Sequence, residues 1–319
     1  MGLFGKLFGR NREEDRPELL PAIERAVNAV EPRLKQTSGY PENYQKSVAS
    51  ALKYARSLAA SVPGPVALNR EAYARDTFVH ALFPAVDFVT DAFSTSLAVQ
   101  DYFREFPDTD ELYALMGMRR IEKTISGVAL SGELIQHDVL QKAVYFTSHT
   151  IENPAPTEEQ AREKVALSFF DSLVNKVKRR VEARRQGQLS QLQEKNLLIN
   201  RLRAADVQTR PELEKKLSRM IATMQSDAGP LDLNNYLKDF EAVLLVPEQH
   251  LKLIQTPIKL DSMGIRRESV EACPTEAVLF NELIDFDRRN WTVTMVHCSK
   301  MQNENITSRL EKAYRQLAI

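Results

Sequence analysis

Hydrophobic positions along this chain fall into helical spacing, change to the short spacing of strands, return to helical spacing over a long stretch, and end in alternation. Leu19, Ile23, Val27, Val30 and Leu34 recur at intervals of three and four, which predicts a helix bent or trimmed by Pro21 and Pro32. Tyr44, Val48, Leu52, Ala55 and Leu58 predict a second helix that stops before Pro63-Gly64-Pro65. From Asn69 to Phe106 the interval continues through Val79, Leu82, Val86, Val89, Phe93 and Leu97. Tyr73, Phe78, Phe83 and Phe88 recur beside them every five positions. Steps of 100° per residue scatter those rings around a helix, so they read as core packing and not as a cofactor box.

Between Arg119 and Ile151 the composition turns β-branched and aromatic. Ile121, Ile125, Val128, Leu134, Val139 and Val144-Tyr145-Phe146-Thr147, punctuated by Gly127 and Ser131-Gly132, predict two or three short strands. A helix over 134–143 is the competing assignment. Thr157 then opens the longest helical stretch, reaching about Ala204, with Val165, Phe169, Leu173, Val177 and Val181 followed by Leu189, Leu192, Ile199 and Leu202 at coiled-coil spacing. A stripe this long needs a partner. Two amphipathic segments supply one, 211–226 (Leu213, Leu217, Met220, Ile221, Met224) and 232–246 (Leu233, Tyr236, Leu237, Phe240, Val243, Leu244), separated by Gly229-Pro230. The expectation is an antiparallel hairpin turning at about 205–210, with Gly187 as its weak point.

Past Pro247 the pattern is strand-like again at Ile258-Lys259-Leu260, then as a hairpin of 278–286 and 291–298 around a four-residue turn, and a helix through Ile306, Leu310, Ala313 and Leu317 closes the chain. Polar caps followed by an acid or amide at Asp15/Glu18, Asp108/Glu111, Thr157/Gln160 and Thr209/Glu212 mark expected helix starts. The predicted fold class is therefore α+β and predominantly α-helical. It comprises a helical N-terminal region, antiparallel β elements forming one sheet interrupted by a long insertion, and a long antiparallel, coiled-coil-like helical hairpin. The expected divisions are a flexible amphipathic segment 1–16, a helical region 17–118, a mixed α+β body 119–156 with 247–319, and the hairpin insertion 157–246.

Composition narrows the function classes. Basic and acidic residues number 43 each, so no global field draws in nucleic acid or an anionic surface, and any such attraction must be local. Two cysteines, Cys273 and Cys298, in a chain of 319 residues fit a reducing compartment. No run of about eighteen apolar residues spans a bilayer, and the opening decapeptide lacks the pattern of a secretory signal. The sequon Asn305-Ile306-Thr307 is accordingly expected to be idle.

Catalytic chemistry is not legible. There is no phosphate-binding glycine loop, and His80, His137, His149, His250 and His297 form no metal-ligating spacing with the cysteines, so no cofactor and no metal are expected. The best enzymatic candidate is His137-Asp138 with His149, which would converge if 134–151 were a β-hairpin. Adjacent residues on a strand point to opposite faces, which favours a solvated surface there and also argues against His297 activating Cys298.

Two surface features carry the functional expectation. The first is a basic run in which Lys176, Lys178, Arg179, Arg180, Arg184 and Arg185 fan around Val177 and Val181. It suits phosphate binding, or else a solvated helix face paired with acids such as Asp239 and Glu241 on the returning helix. The second is the opening MGLFGKLFGR. On a helical wheel Leu3, Phe4, Leu7 and Phe8 share one arc, glycines gather opposite, and Lys6 and Arg10 lie at the edge. That is the layout of a short interfacial helix, weak alone and needing a second contact. Lys6 stands where a myristoylation signal requires Ser or Thr.

The chain thus reads as a non-enzymatic, cytoplasmic, bacterial-type interaction or scaffold protein. Residues 1–12 would contact an anionic membrane surface, at the inner face of the cytoplasmic membrane, or else dock on a partner protein or on the chain's own body, and the helical hairpin would meet a protein partner or a second copy. The alternative is a nucleic-acid-associated factor using the basic face at 176–185.

Overall fold

The structure, a computed structural model, describes residues 16–131, 134–226, 233–261, 263–267, 277–285 and 290–300. In chain order its elements are α1 (Arg16–Val30), a 3₁₀ turn (Pro32–Gln36), α2 (Glu42–Ser61), β1 (Val66–Ala67), α3 (Arg70–Arg75), α4 (Thr77–Leu82), α5 (Val86–Ser94) and α6 (Leu97–Glu105). The long strands β2 (Glu111–Ser131) and β3 (Leu134–Ala155) follow, then α7 (Glu158–Ala204), α8 (Arg210–Ser226), α9 (Leu233–Leu244), a 3₁₀ turn (Pro247–Gln249), β4 (Leu251–Lys259), β5 (Ala277–Asp285) and β6 (Asn290–Ser299). The fold is α+β and mainly helical, as the hydrophobic periodicity predicts.

Two compact units divide the chain, one from the residues up to Tyr54 with Phe170–His250, the other from Ala55–Phe169 with the residues from Leu251. The first is helical. Its core comes from Ile23, Ala26 and Val27 of α1, Tyr44 and Val48 of α2, Phe170, Val174 and Val177 of α7, and Phe240 and Val243 of α9, all buried. Tyr44 meets Phe240 edge to face at 5.2 Å, the arrangement ring quadrupoles favour. Arg25 donates from Nε to Asp171 at 2.6 Å, tying α1 to α7.

The α7–α8 hairpin turns where expected. Asp206 accepts from the Thr209 backbone N–H at 2.8 Å, closing the turn before α8. Gly187 does not interrupt α7. Lys216 lies 3.2 Å from Glu194 across the pair. The seam is narrower than the coiled-coil spacing implies: Leu192, Ile199, Leu202, Leu213, Leu217 and Met220 are half-buried, whereas Leu189 and Ile221 stay exposed at 53% and 37%.

In the second unit a six-stranded sheet runs β3-β2-β6-β5-β4, with the short β1 parallel to β6. Strands on both sides of the helical insertion join through the antiparallel pairing of β2 with β6, Glu111 opposite Ser299 through Met118 opposite Thr292. The short strands expected over 119–151 are instead one long hairpin, in which β2 pairs with β3 from Tyr113↔Ala155 to Ser131↔Leu134. That hairpin also overturns the helix start expected at Asp108/Glu111, because Glu111 opens β2 and its partner β6 supplies the ladder that a first helical turn would otherwise need. Three register shifts interrupt the β2–β3 ladder, each placing one extra residue on β3, and beside them Asn153, Ser148 and Asp138 adopt φ of 59°, 55° and 61°. One-residue bulges take such left-handed positions, and short polar residues tolerate them best.

The helical interval from Asn69 to Phe106 is divided into four short helices. Asn69 caps α3 by accepting from Ala72 N–H at 2.6 Å, Asp76 caps α4 through Phe78 and Val79, and Ser96 caps α6 through Val99. Each cap satisfies orphaned amides and starts a new helix, so a continuous apolar interval is cut without losing its phase. Val79, Leu82, Phe83, Val89, Phe93, Val99 and Tyr102 from these helices close over Leu112, Met116, Phe146, Ile258 and Phe280 of the sheet.

Arg162 of α7 ends α2 within the same unit, its Nη1 donating to the carbonyls of Ala59 at 2.8 Å and Val62 at 2.9 Å and its Nη2 to Gly64 at 3.1 Å. The last carbonyls of a helix lack amide donors from a following turn, and among the described residues the Ala59 carbonyl has only the Val62 N–H at 3.3 Å besides Arg162. Gly64 itself, at φ 101°, lies against β6, where a Cβ would stand 2.3 Å from the Met295 carbonyl oxygen. The predicted C-terminal helix at 306–317 and the cap at Asp15 lie outside the described residues.

Candidate functional site

A cleft of about 1020 Å³ opens in the second unit, between α3–α4 and the edge of the sheet. Its construction starts with Asp76. By capping α4 that residue ends α3 and turns the chain, so that Val79 and Leu82 go into the core while Tyr73 and His80 face the cleft, their rings 4.8 Å apart. The opposite wall is β3 at Val144, Tyr145 and Phe146, with Val278 of β5 below.

The loop after β4 completes the enclosure. Asp261 accepts from the backbone N–H groups of Met263 and Ile265, each at 2.9 Å, and from Arg267 Nε at 3.0 Å and Nη2 at 2.7 Å. The loop so held turns back on the far edge of β3, where Val144 N–H donates to the Gly264 carbonyl at 2.8 Å and Arg266 N–H to the Lys142 carbonyl at 2.8 Å. Gly264 sits at φ 73°, a conformation that favours glycine.

Behind the wall lies His149. Its ring stacks on Phe83 at 4.6 Å and an interplanar angle of 17°, and its Nε2 donates to the Leu82 carbonyl, 3.0 Å away. Burial holds His149 below the ordinary histidine value, with the bond to Leu82 acting in the opposite direction. A neutral ring in that position braces the segment carrying Leu82 and Phe83. It does not line the cleft.

His137, Asp138 and His149 do not converge. All three lie on the one strand β3, and a separation of twelve strand residues between the histidines amounts to about 40 Å. Asp138 accepts from Ser126 Oγ across the ribbon at 3.1 Å, and His137 is exposed. Cys298 is buried in the sheet core, where desolvation pushes its thiol far above the usual range and keeps it protonated, while His297 stacks on Tyr113 at 4.7 Å. The adjacent pair is therefore split between two environments and activates nothing.

The basic run is placed along α7 within the helical unit. Arg180 and Arg184 both reach Asp239 of α9, and Arg185 lies 3.5 Å from Glu31. Glu31 is itself held below the ordinary carboxylate value, mainly by its hydrogen bonds with Arg33. Lys176 and Arg179 are not free either, and Lys178 is exposed. Leu3, Phe4, Lys6, Leu7, Phe8 and Arg10 lie outside the described residues. Among the described residues no group of three or more His, Cys, Asp or Glu could hold a metal ion, and no helix is long and apolar enough to cross a membrane.

Sequence reasoning missed the cleft. Its available signals were Asp76-Thr77 as a cap in the middle of a helical interval and Asp261 three residues before Gly264 as a turn, neither of which names a ligand. No protein-family model matches the chain, and no curated protein and no solved structure matches it.

Proposed function

We propose that this chain is a non-enzymatic interaction protein whose α7–α8 arm docks against a protein partner, most simply a second copy, while residues 1–12 contact an anionic membrane surface at the inner face of the cytoplasmic membrane. The supporting observation is the thin packing of the arm. From residue 182 to 224 only Leu198 is buried, while Leu189, Leu197, Val207 and Ile221 are exposed. Residues 182–204 of α7 and 210–224 of α8 are thus ordered around one fully buried side chain and a half-buried seam. Most helical stability in proteins comes from tertiary packing of an apolar face, of which this arm has little among the described residues. A partner that covers Leu189 and Leu197 supplies it. The internal pairing of Arg180, Arg184 and Arg185 leaves the nucleic-acid reading without a structural observation in its favour.

Light scattering of the full chain at micromolar concentrations tests the arm. The wild type is expected to self-associate and Leu189→Glu/Leu197→Glu to be monomeric, with unchanged helicity. A monomeric wild type rejects self-association. Flotation with phosphatidylglycerol and phosphatidylcholine vesicles tests the membrane contact, which fails if Leu3→Glu/Phe8→Glu floats as well as the wild type.

A further inference from the structure

We infer that the cleft in the β-rich unit binds the hydrocarbon chain of an acyl ligand, a function independent of the arm. Three observations support this. First, the deep lining is apolar and already part of a packed core: Leu82, Phe83, Val144, Phe146, Leu260 and Val278 are all buried, yet their cleft-facing surfaces enclose about 1020 Å³, the upper end of ordinary small-molecule sites.

Second, the charged groups around the cleft are already engaged. Asp261 accepts four hydrogen bonds from its own loop, Asp76 accepts two from α4, and Arg75 pairs with Glu71. None of the buried side-chain polar atoms left without a hydrogen bond among the described residues belongs to the lining. Tyr73, Thr77 and Tyr145 also line the cleft, but none of them is buried. Over the buried apolar floor a nucleotide, sugar or heterocycle would bring donors and acceptors that no side chain of that floor can answer, at the cost of desolvating each. A hydrocarbon chain brings none.

Third, the lip suits a ligand whose polar end stays in water. Met263 is 77% exposed and Tyr145 40%, so apolar surface continues from the floor to the opening. The charges beside it, Arg75, Asp76 and Asp261, are of mixed sign and select no headgroup.

The test is fluorescence titration of the full-length protein with 11-(dansylamino)undecanoic acid. Saturable enhancement at one site per chain is expected. Ala81→Trp, which fills the cleft from α4, should weaken binding about tenfold or more, and Met263→Glu, a change at an exposed lip position that leaves the core intact, should weaken it severalfold. Displacement by palmitate below its micelle threshold identifies a free acid as the source of the chain, and displacement only by phosphatidylglycerol vesicles identifies a membrane lipid. Absence of saturable binding, or equal binding by the wild type and Met263→Glu, overturns the assignment. Neither result bears on the oligomeric state that tests the arm.

Discussion

Asp239 on α9 accepts two hydrogen bonds from the guanidinium of Arg184 on α7, Nε at 2.9 Å and Nη2 at 3.0 Å, and Arg180 Nε adds a third at 2.8 Å. The Asp239 side chain is 2% exposed, while the two arginine side chains keep 37% and 49% of their surface in water. Burial is one-sided. Losing the acid lets both arginines rehydrate, whereas losing the arginines strands a charge in the core.

Asp239→Asn is therefore expected to cost about 1 kcal/mol, and Arg180→Ala/Arg184→Ala about 3 kcal/mol. Urea unfolding of both variants followed by circular dichroism checks the asymmetry. Equal losses would show that Asp239 is not the group that needs the pair.

Gly64→Ala meets a wall that cannot yield. The new Cβ would stand 2.3 Å from the Met295 carbonyl oxygen, which belongs to the backbone of β6, at a φ of 101° that other residues rarely adopt. A loss of about 3 kcal/mol or more is expected, read as a lowered melting temperature.

Stability should fall on acidification because of His149. Its folded-state value lies below the ordinary 6.5, so the unfolded chain takes up the proton first. The contribution is complete above pH 6.5, is lost as pH drops through that value, and levels off below the folded-state value. His149→Gln, which can still donate to the Leu82 carbonyl, should flatten the decline between pH 7 and pH 5 in urea midpoints. An unchanged slope in the variant would assign the proton to another group.

At the middle bulge of β3, Ser148 is exposed with φ 55°. Ser148→Gly should be neutral or slightly stabilising, and Ser148→Val should cost about 1–2 kcal/mol, since only the β-branched side chain clashes with a left-handed backbone. Thermal melts of the two variants, compared with each other, remove the effect of deleting the hydroxyl.

Long elements with one uninterrupted period were readable in advance. The stripe Val165 to Val181 and the paired segments after Arg210 need no information from outside themselves, and Asp239 as a partner for the basic run followed from their antiparallel order. The helices α3 to α6 escaped because caps at Asn69, Asp76 and Ser96 leave the apolar interval in phase. A period count sees one helix there. The β2–β6 pairing joins residues such as Leu112 and Cys298, and neither strand carries a local signal naming the other. The cleft was hidden more thoroughly. Its walls come from 73–77, 80–84, 144–146, 260–261, 263–264 and 278, and Leu82, Phe146 or Val278 taken alone is an ordinary core residue.

The three bulges all fall on β3, so over the same ladder β3 uses three more residues than β2. The surplus is three residues, each at a bulge that bends its strand and adds local twist. Two strands of unequal residue count, hydrogen-bonded along their course, do not lie flat: the ribbon bends and twists at each bulge. Length difference then becomes a heritable control of curvature. Deleting one residue from β3 at Ser148, or adding one to β2 opposite it, would remove a third of the surplus and swing the distal ribbon, with Leu140 and Val128 on it, to a new direction without altering a single side chain in the core.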